Sequence, residues 1–257
     1  MKLVMGVVNV TPDSFSDGGE TFDTQKAISR GLSLAQAGAD ILDIGGESSR
    51  PGALSIDARE EMRRIIPVVE ALSPIVRVSV DTTKEEVARR AVLAGATLIN
   101  DISSGLAHVA ADLGVGWVAM HMQASPEIMQ RDPRYSDVVF EVRNFLIERG
   151  EYGRRLGISE VWIDPGIGFG KTIEHNLALL REIDFLADCD FPVLVGTSRK
   201  TFIGKVAARY EGEIPPPKDR LEGSLATAAW CYRHGVSAMR VHDVKETIDL
   251  CRLAGYR

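Results

Sequence analysis

Cysteine is scarce: only Cys189, Cys231 and Cys251 occur in 257 residues, none in a Cys-x-x-Cys pair and none at zinc-ligand spacing from a histidine. An odd number of widely spaced cysteines excludes a disulfide framework and predicts buried, reduced thiols in a cytoplasmic protein. Long apolar runs are also missing. None approaches the ~20 residues that a membrane span needs, and Met1–Asn9 carries one lysine and a short apolar stretch without the features of a secretion signal. Positive charge is in deficit, with a net charge of −6, which argues against nonspecific binding to nucleic acid or to an anionic membrane. A small anionic substrate stays possible, because a pocket can be positive on a negative protein.

What is present is an ordinary globular composition, 45% hydrophobic and 26% charged. The length fits one large domain or two small ones, and single α/β barrels commonly have ~250 residues; an unbroken repeat of strands and helices without a linker predicts one domain over 1–257. Eight short apolar runs, rich in Val, Ile and Leu, read as strands covered on both faces. They are Leu3–Val8, Ile41–Ile44, Val76–Val80, Thr97–Ile99, Gly116–Met120, Val161–Ile163, Val193–Val195 and Ala238–Val241. Helical periodicity fills 24–37, 57–72, 84–93, 137–156, 174–187, 219–234 and 243–254, and Gly38, Gly95, Gly157 and Gly235 stand where helices should stop. Strict alternation without a linker predicts an eight-stranded parallel (β/α)8 TIM barrel, with an open doubly wound sheet as the structural alternative. Ile214-Pro215-Pro216-Pro217 reads as a surface excursion after the seventh strand.

Each strand ends in polar residues. Asn9 follows the first; Asp43 lies within the second, which leads to Glu47, Ser49 and Arg50; Asp81 ends the third and Asn100-Asp101 the fourth. His121, Asp164, then Ser198-Arg199-Lys200, and finally Arg240, His242 and Asp243 follow at the remaining four. One such residue can be a helix cap. Eight clusters converging on one barrel face predict a site there, because barrels place their active sites at the C-terminal ends of the strands.

The segments themselves carry a resemblance. Gly6-Val7-Val8-Asn9-Val10-Thr11-Pro12-Asp13-Ser14-Phe15-Ser16-Asp17-Gly18-Gly19 and Asp43-Ile44-Gly45-Gly46-Glu47-Ser48-Ser49-Arg50-Pro51-Gly52 resemble the two opening signatures of the dihydropteroate synthase family. Ser79–Thr82, Ile99–Ile102, Met120–Gln123, Asp164–Lys171, Gly196–Lys200 and Arg240–Val244 continue the match in the family's order. Three positions depart from the pattern: Ser49 for the usual threonine, Thr201 for a common serine, and Ala124 for the usual glycine.

The resemblance implies condensation of a dihydropterin diphosphate with 4-aminobenzoate, with Mg2+ on the leaving group and Asn9 as its one protein ligand. A hard ion held by phosphate oxygens and water needs few protein ligands. It also implies that Asp164 reads the N–H edge of the pterin, with Asn100 and Asp81 on other ring nitrogens and Lys200 on the ring acceptors. A carboxylate suits such an edge because charge-assisted bonds are strong. The three glycines within six residues of Asp164 predict close backbone approach to a ligand. Arg240 and His242 are expected on the diphosphate, and Asp81 beside the developing cation. Pro51 and Phe169 would flank the aminobenzoate ring, Ser49 and Arg50 would order the loops around it, and Lys200, Thr201 and the following helix start would receive its carboxylate. His121, between two methionines, is expected to be structural. The family is usually homodimeric, through a surface on the helices after strands six to eight, and a 4-aminobenzoate pocket implies sulfonamide binding.

Other functions fit parts of this pattern. A noncatalytic pterin-binding paralogue would keep the ring pocket. The folate barrel of a cobalamin-dependent methyltransferase would share the pterin-edge residues without the two opening signatures, and 257 residues leave no room for its corrinoid partner. A metallohydrolase barrel would need a histidine-rich site, and only two of the five histidines lie near strand ends.

Overall fold

Side chains along a strand point alternately to its two faces, and that alternation sorts this chain into a barrel lining and an outer shell. A computed structural model of the protein describes residues 2–11, 20–48, 55–126 and 128–257. In chain order its elements are β1 (Leu3–Asn9), α1 (Glu20–Gln36), β2 (Ile41–Gly45), α2 (Ala58–Leu72), β3 (Arg77–Asp81), α3 (Glu85–Leu93), β4 (Leu98–Asp101), α4 (Ala107–Leu113) and β5 (Gly116–Met120). Then come α5 (Val138–Arg155), β6 (Val161–Asp164), α6 (Ile173–Arg181), α7 (Ile183–Ala187), β7 (Leu194–Val195), α8 (Thr201–Glu211), α9 (Leu221–Arg233), β8 (Ala238–Val241) and α10 (Val244–Leu253). All strand pairs are parallel, in the order β6-β5-β4-β3-β2-β1-β8-β7. A parallel bridge from Ile163 to Val193, with the Ile163 N–H donating to Pro192 O at 3.1 Å, joins the two ends and closes a (β/α)8 barrel.

Met5, Ile41, Leu98, Val118, Trp162, Leu194 and Ala238 fill the bottom of the barrel as one apolar plug. Below it, Arg77 pairs with Glu160 through two bonds (3.0 and 2.6 Å), and the Trp162 indole donates to the same carboxylate at 2.7 Å. Two residues further along the strands, the same inward face carries Asp43, Asn100, Asp164 and Arg240. The opposite strand face packs on the helices in the larger core, which includes Val4, Val8, Leu42, Ile44, Val78 and Val80. The lining is therefore apolar below and polar above.

The predicted helices form with shifts of a few residues, and all four predicted stop glycines have positive φ. At Gly95 the requirement is double: φ is +113°, and a β-carbon would crowd the Ser73 side chain. Two features differ from the expectation. The segment 174–187 divides into α6 and α7 at Glu182 (φ −100°, ψ 29°), and the seven-residue α4 was not expected. The Pro-rich stretch leads into a 3-10 turn at Pro217–Asp219 between α8 and α9.

Candidate active site

The polar layer of the barrel is built around Arg240. Its Nε donates to Asp43 Oδ2 (2.6 Å) and a terminal nitrogen donates to Asp81 Oδ2 (2.7 Å). Asn100 donates its amide to the same Asp43 oxygen at 2.9 Å. Asp43 is fully buried, and among the described residues neither its other oxygen nor the hydroxyl of Ser79, its register neighbour on β3, has a hydrogen-bond partner. Burial raises the Asp81 pKa to about 7; the Arg240 charge works against that rise and the Asp43 charge adds to it. Burial opposes the charge of Arg240, but Asp43 and Asp81 outweigh it and raise the guanidinium pKa. Two carboxylates thus share one cation.

Across the barrel, Asp164 ends β6 and is buried. Its Oδ1 accepts the Gly166 N–H at 2.7 Å. Burial raises its pKa against the opposing charges of Lys200, Arg240 and Lys171. Lys200, at the start of α8, donates its ammonium to Ile167 O and stands 4.6 Å from the centre of the Phe169 ring. Burial lowers its pKa to about 8, with Asp164 pulling it back up. Between these two residues runs a glycine turn with positive φ at Gly166, Gly168 and Gly170. A β-carbon at Gly166 would overlap the His121 carbonyl oxygen. The glycine there admits a neighbouring strand end of the protein itself, which is a packing reason distinct from the expected approach to a ligand.

On the last side of the mouth, Ser198 bonds His242 twice: the hydroxyl lies 3.1 Å from Nδ1 and accepts the His242 N–H at 3.2 Å. Arg199 adopts the left-handed conformation (φ 59°) between β7 and α8. Its N–H donates to Ser224 Oγ (3.0 Å), its carbonyl accepts from Arg220 (2.9 Å), and its guanidinium pairs with Asp243. This clamp fixes where α8 starts, and so where Lys200 and the exposed Thr201 stand. A cavity of about 470 Å³ opens beside Asp81, lined among others by Glu47, Glu61, Lys84, Ile102 and Met122. Lys84 pairs there with both Glu47 and Glu61.

Electrostatic coupling among Asp81, Asp164, Lys200 and Arg240 brings four of the expected residues into one site, with Asn100 joined through Asp43. Phe169 lies against Lys200, and His242 is tied to the β7–α8 turn. Asn9 ends β1, half-buried, in register with Gly45. Ser49, Arg50 and Pro51 lie outside the described residues. His121 is buried with its pKa pushed down to about 3, by burial and then by the Lys171 charge. Sequence reasoning counted Asp43 among the strand-end polar residues and Lys171 within a motif, but gave neither a role. Each had a signal: an acid inside an otherwise apolar strand, and a lysine directly after the glycine turn.

The barrel thus gathers three carboxylates, a lysine and an arginine at the C-terminal ends of its strands, where enzymes of the (β/α)8 class place their active sites. The family model described as pterin binding enzyme matches residues 5–242. A dihydropteroate synthase from Synechocystis sp. is 42% identical over 98% of this chain and 88% of that protein. The Xanthomonas albilineans dihydropteroate synthase solved with 4-aminobenzoic acid superposes with a TM-score of 0.91 at 44% identity, covering 99% of this chain and 92% of that one. The same enzyme in complex with 7,8-dihydropteroate gives 0.87 at 42% identity, covering 99% and 93%. The chain belongs to the pterin binding enzymes, within the dihydropteroate synthase family.

Proposed function

We propose that this protein condenses 6-hydroxymethyl-7,8-dihydropterin diphosphate with 4-aminobenzoate to give 7,8-dihydropteroate and diphosphate, with 1–257 acting as one unit. The observation that carries the reading is the set of buried Asp164 and Asn100 with half-buried Lys200, Arg240 and Asp81 at the barrel mouth. Asp164 keeps Oδ2 for the N–H edge of the pterin while Gly166 holds Oδ1. Lys200 serves the ring acceptors, and Asn100 and Asp81 serve the remaining nitrogens. The C–O bond to diphosphate breaks first and its electron pair leaves with the diphosphate. The pterin-stabilised cation then meets the arylamine, which forms the C–N bond and sheds a proton. Asp81, ionised, stabilises that cation in a site with little water. Arg240 and His242 receive the diphosphate. Phe169, Thr201 and the start of α8 serve the aminobenzoate, with Ser49, Arg50 and Pro51 completing that side.

Magnesium fits this site, among the described residues, through Asn9. Among the described residues no group of three or more His, Cys, Asp or Glu could hold a metal. Asn9 offers a neutral oxygen at the mouth, suited to an ion held chiefly by diphosphate oxygens and water. Mg2+, when bound, neutralises the leaving group's charge.

The reading extends to a cytoplasmic homodimer that binds sulfonamides at the 4-aminobenzoate pocket. Free Cys189, Cys231 and Cys251 fit a reducing compartment, and among the described residues no helix is long and apolar enough to cross a membrane. The test mixes the protein with both substrates and magnesium and follows dihydropteroate by chromatography. Product is expected from the wild type and a strong drop with EDTA. Asp164→Ala should lose at least ~100-fold, since charge-assisted bonds contribute about 1.5–3 kcal/mol each. Pterin binding by calorimetry with no product would make the chain a noncatalytic paralogue, and absence of both would sink the reading.

A further inference from the structure

Lys171 is a cation with only 3% of its surface exposed and four neutral atoms around its ammonium. Nζ lies 3.0 Å from His121 Nδ1, 3.3 Å from His121 O, 3.1 Å from Gly166 O and 2.9 Å from Phe169 O. With Nδ1 accepting from Lys171, the neutral His121 ring carries its proton on Nε2. Burial lowers the Lys171 pKa to about 7, so the position is costly for a cation. An apolar side chain of equal length would fill the space without that cost.

The carbonyls it gathers explain its presence. Gly166 and Phe169 bracket Ile167, and His121 belongs to the end of the neighbouring β5, so one ammonium ties the glycine turn to that strand end. The turn then acts in two directions. The Gly166 N–H fixes one oxygen of Asp164, while Ile167 O accepts from Lys200 and the Phe169 ring lies against the same ammonium. Both ring-reading groups are thus held by turn residues whose adjoining carbonyls Lys171 gathers. The turn has other supports: Gln130 donates to Gly168 O (2.8 Å), Tyr135 to Gly170 O (2.8 Å), and Asn176 accepts the Gly168 N–H (2.6 Å). Loss of Lys171 therefore leaves the turn formed but displaced.

We propose that Lys171 is a positioning residue for the pterin subsite, setting the spacing between Asp164 and Lys200 through the 166–169 turn. The proposal rests on the synthase reading, so wild-type turnover is established first; its absence counts against that reading and not against Lys171. Lys171→Met is then compared with the wild type by circular dichroism, by steady-state kinetics in each substrate, and by calorimetric titration of the pterin diphosphate alone. The expected result is a folded protein whose KM and Kd for the pterin diphosphate rise about tenfold or more. The KM for 4-aminobenzoate, at saturating pterin, should rise several-fold less than that, because Phe169 is held by the same turn but Thr201 and the start of α8 are not. Equal movement of both KM values, or movement of neither, overturns the proposal. If Lys171→Met does not fold, Lys171→Gln, which offers two N–H donors to the same carbonyls, must show the same split. Failure of both variants to fold makes Lys171 a stability residue and also overturns it.

Discussion

Asp43 and Asp81 share the Arg240 guanidinium, so whatever holds Asp81 ionised also holds a surplus negative charge in a buried site. The functional sign follows from the Asp81 pKa of about 7. If the ionised carboxylate steadies the cation, kcat/KM falls as pH drops through about 7. The Asp43 charge contributes to that high value. Asp43→Asn keeps an oxygen for the Arg240 Nε but removes the repulsion, so the acid limb of the pH–rate profile should move to lower pH; an unmoved limb would show that another group titrates there. The stability sign is opposite to that of a salt-bridged acid. A folded pKa above the ordinary value means that the native state binds the proton more tightly than the unfolded chain. This group therefore costs stability as pH rises from about 4 to 7. Thermal unfolding of Asp81→Asn should depend less on pH across that window. Asp81, Asn100, Asp164 and Arg240 were legible in sequence because each ends or nearly ends an apolar run. Asp43 was harder: its partner is 197 residues away, and only the closed barrel brings β2 and β8 to either side of β1.

At the scale of elements, what reads from sequence is what repeats locally. The eight strands appeared as eight apolar runs, and their edges differ from the observed ones by only one or two residues. α4 was missed because Ala107–Leu113 makes two turns and presents mainly Ala107, Val109 and Ala110 to the core, too short a stretch for period 3.6 to show. The clamp on α8 was illegible for another reason, since it is assembled from side chains of three elements. Arg220, before α9, reaches back to Pro215 O (2.9 Å) and Arg199 O (2.9 Å), and Gly204 in α8 lies where a β-carbon would stand 2.7 Å from its Nε. That glycine makes room for the arginine. Arg220→Met should release the left-handed turn and re-aim the first N–H groups of α8. The KM for 4-aminobenzoate is expected to rise about tenfold, matching a lost charge-assisted bond of about 1.5–3 kcal/mol. Pterin affinity should move less, because Ile167 O still holds the Lys200 ammonium when the clamp is released. Equal loss for both substrates would mean that the clamp serves the whole mouth.

At the scale of the whole molecule, the strands place chemistry at one end and leave the outer helices free for association. Phe140 on α5, Phe185 on α7 and Trp230 on α9 are exposed by 56%, 41% and 44%. They lie on packed neighbours: Arg143 covers Phe185 at 4.5 Å, the Trp230 indole donates to Leu180 O of α6 at 2.6 Å, and Gly235 after α9 approaches Ala187 of α7. Large aromatics gathered on adjoining helices are the usual anchors of an interface, and a stable one covers about 800 Å² per partner. These helices include those that follow β6 and β7, the surface expected for a homodimer. Sedimentation equilibrium should give twice the 28.0 kDa chain mass for the wild type and a single chain for Phe185→Asp, a change at a side chain that makes no hydrogen bond of its own. The monomer should still bind the pterin diphosphate, because Asp164 and Lys200 are set by the turn inside the barrel mouth. A dimeric Phe185→Asp would move the interface to another face. A monomeric wild type would remove the dimer from the proposed function and leave the chemistry at the strand ends as it stands.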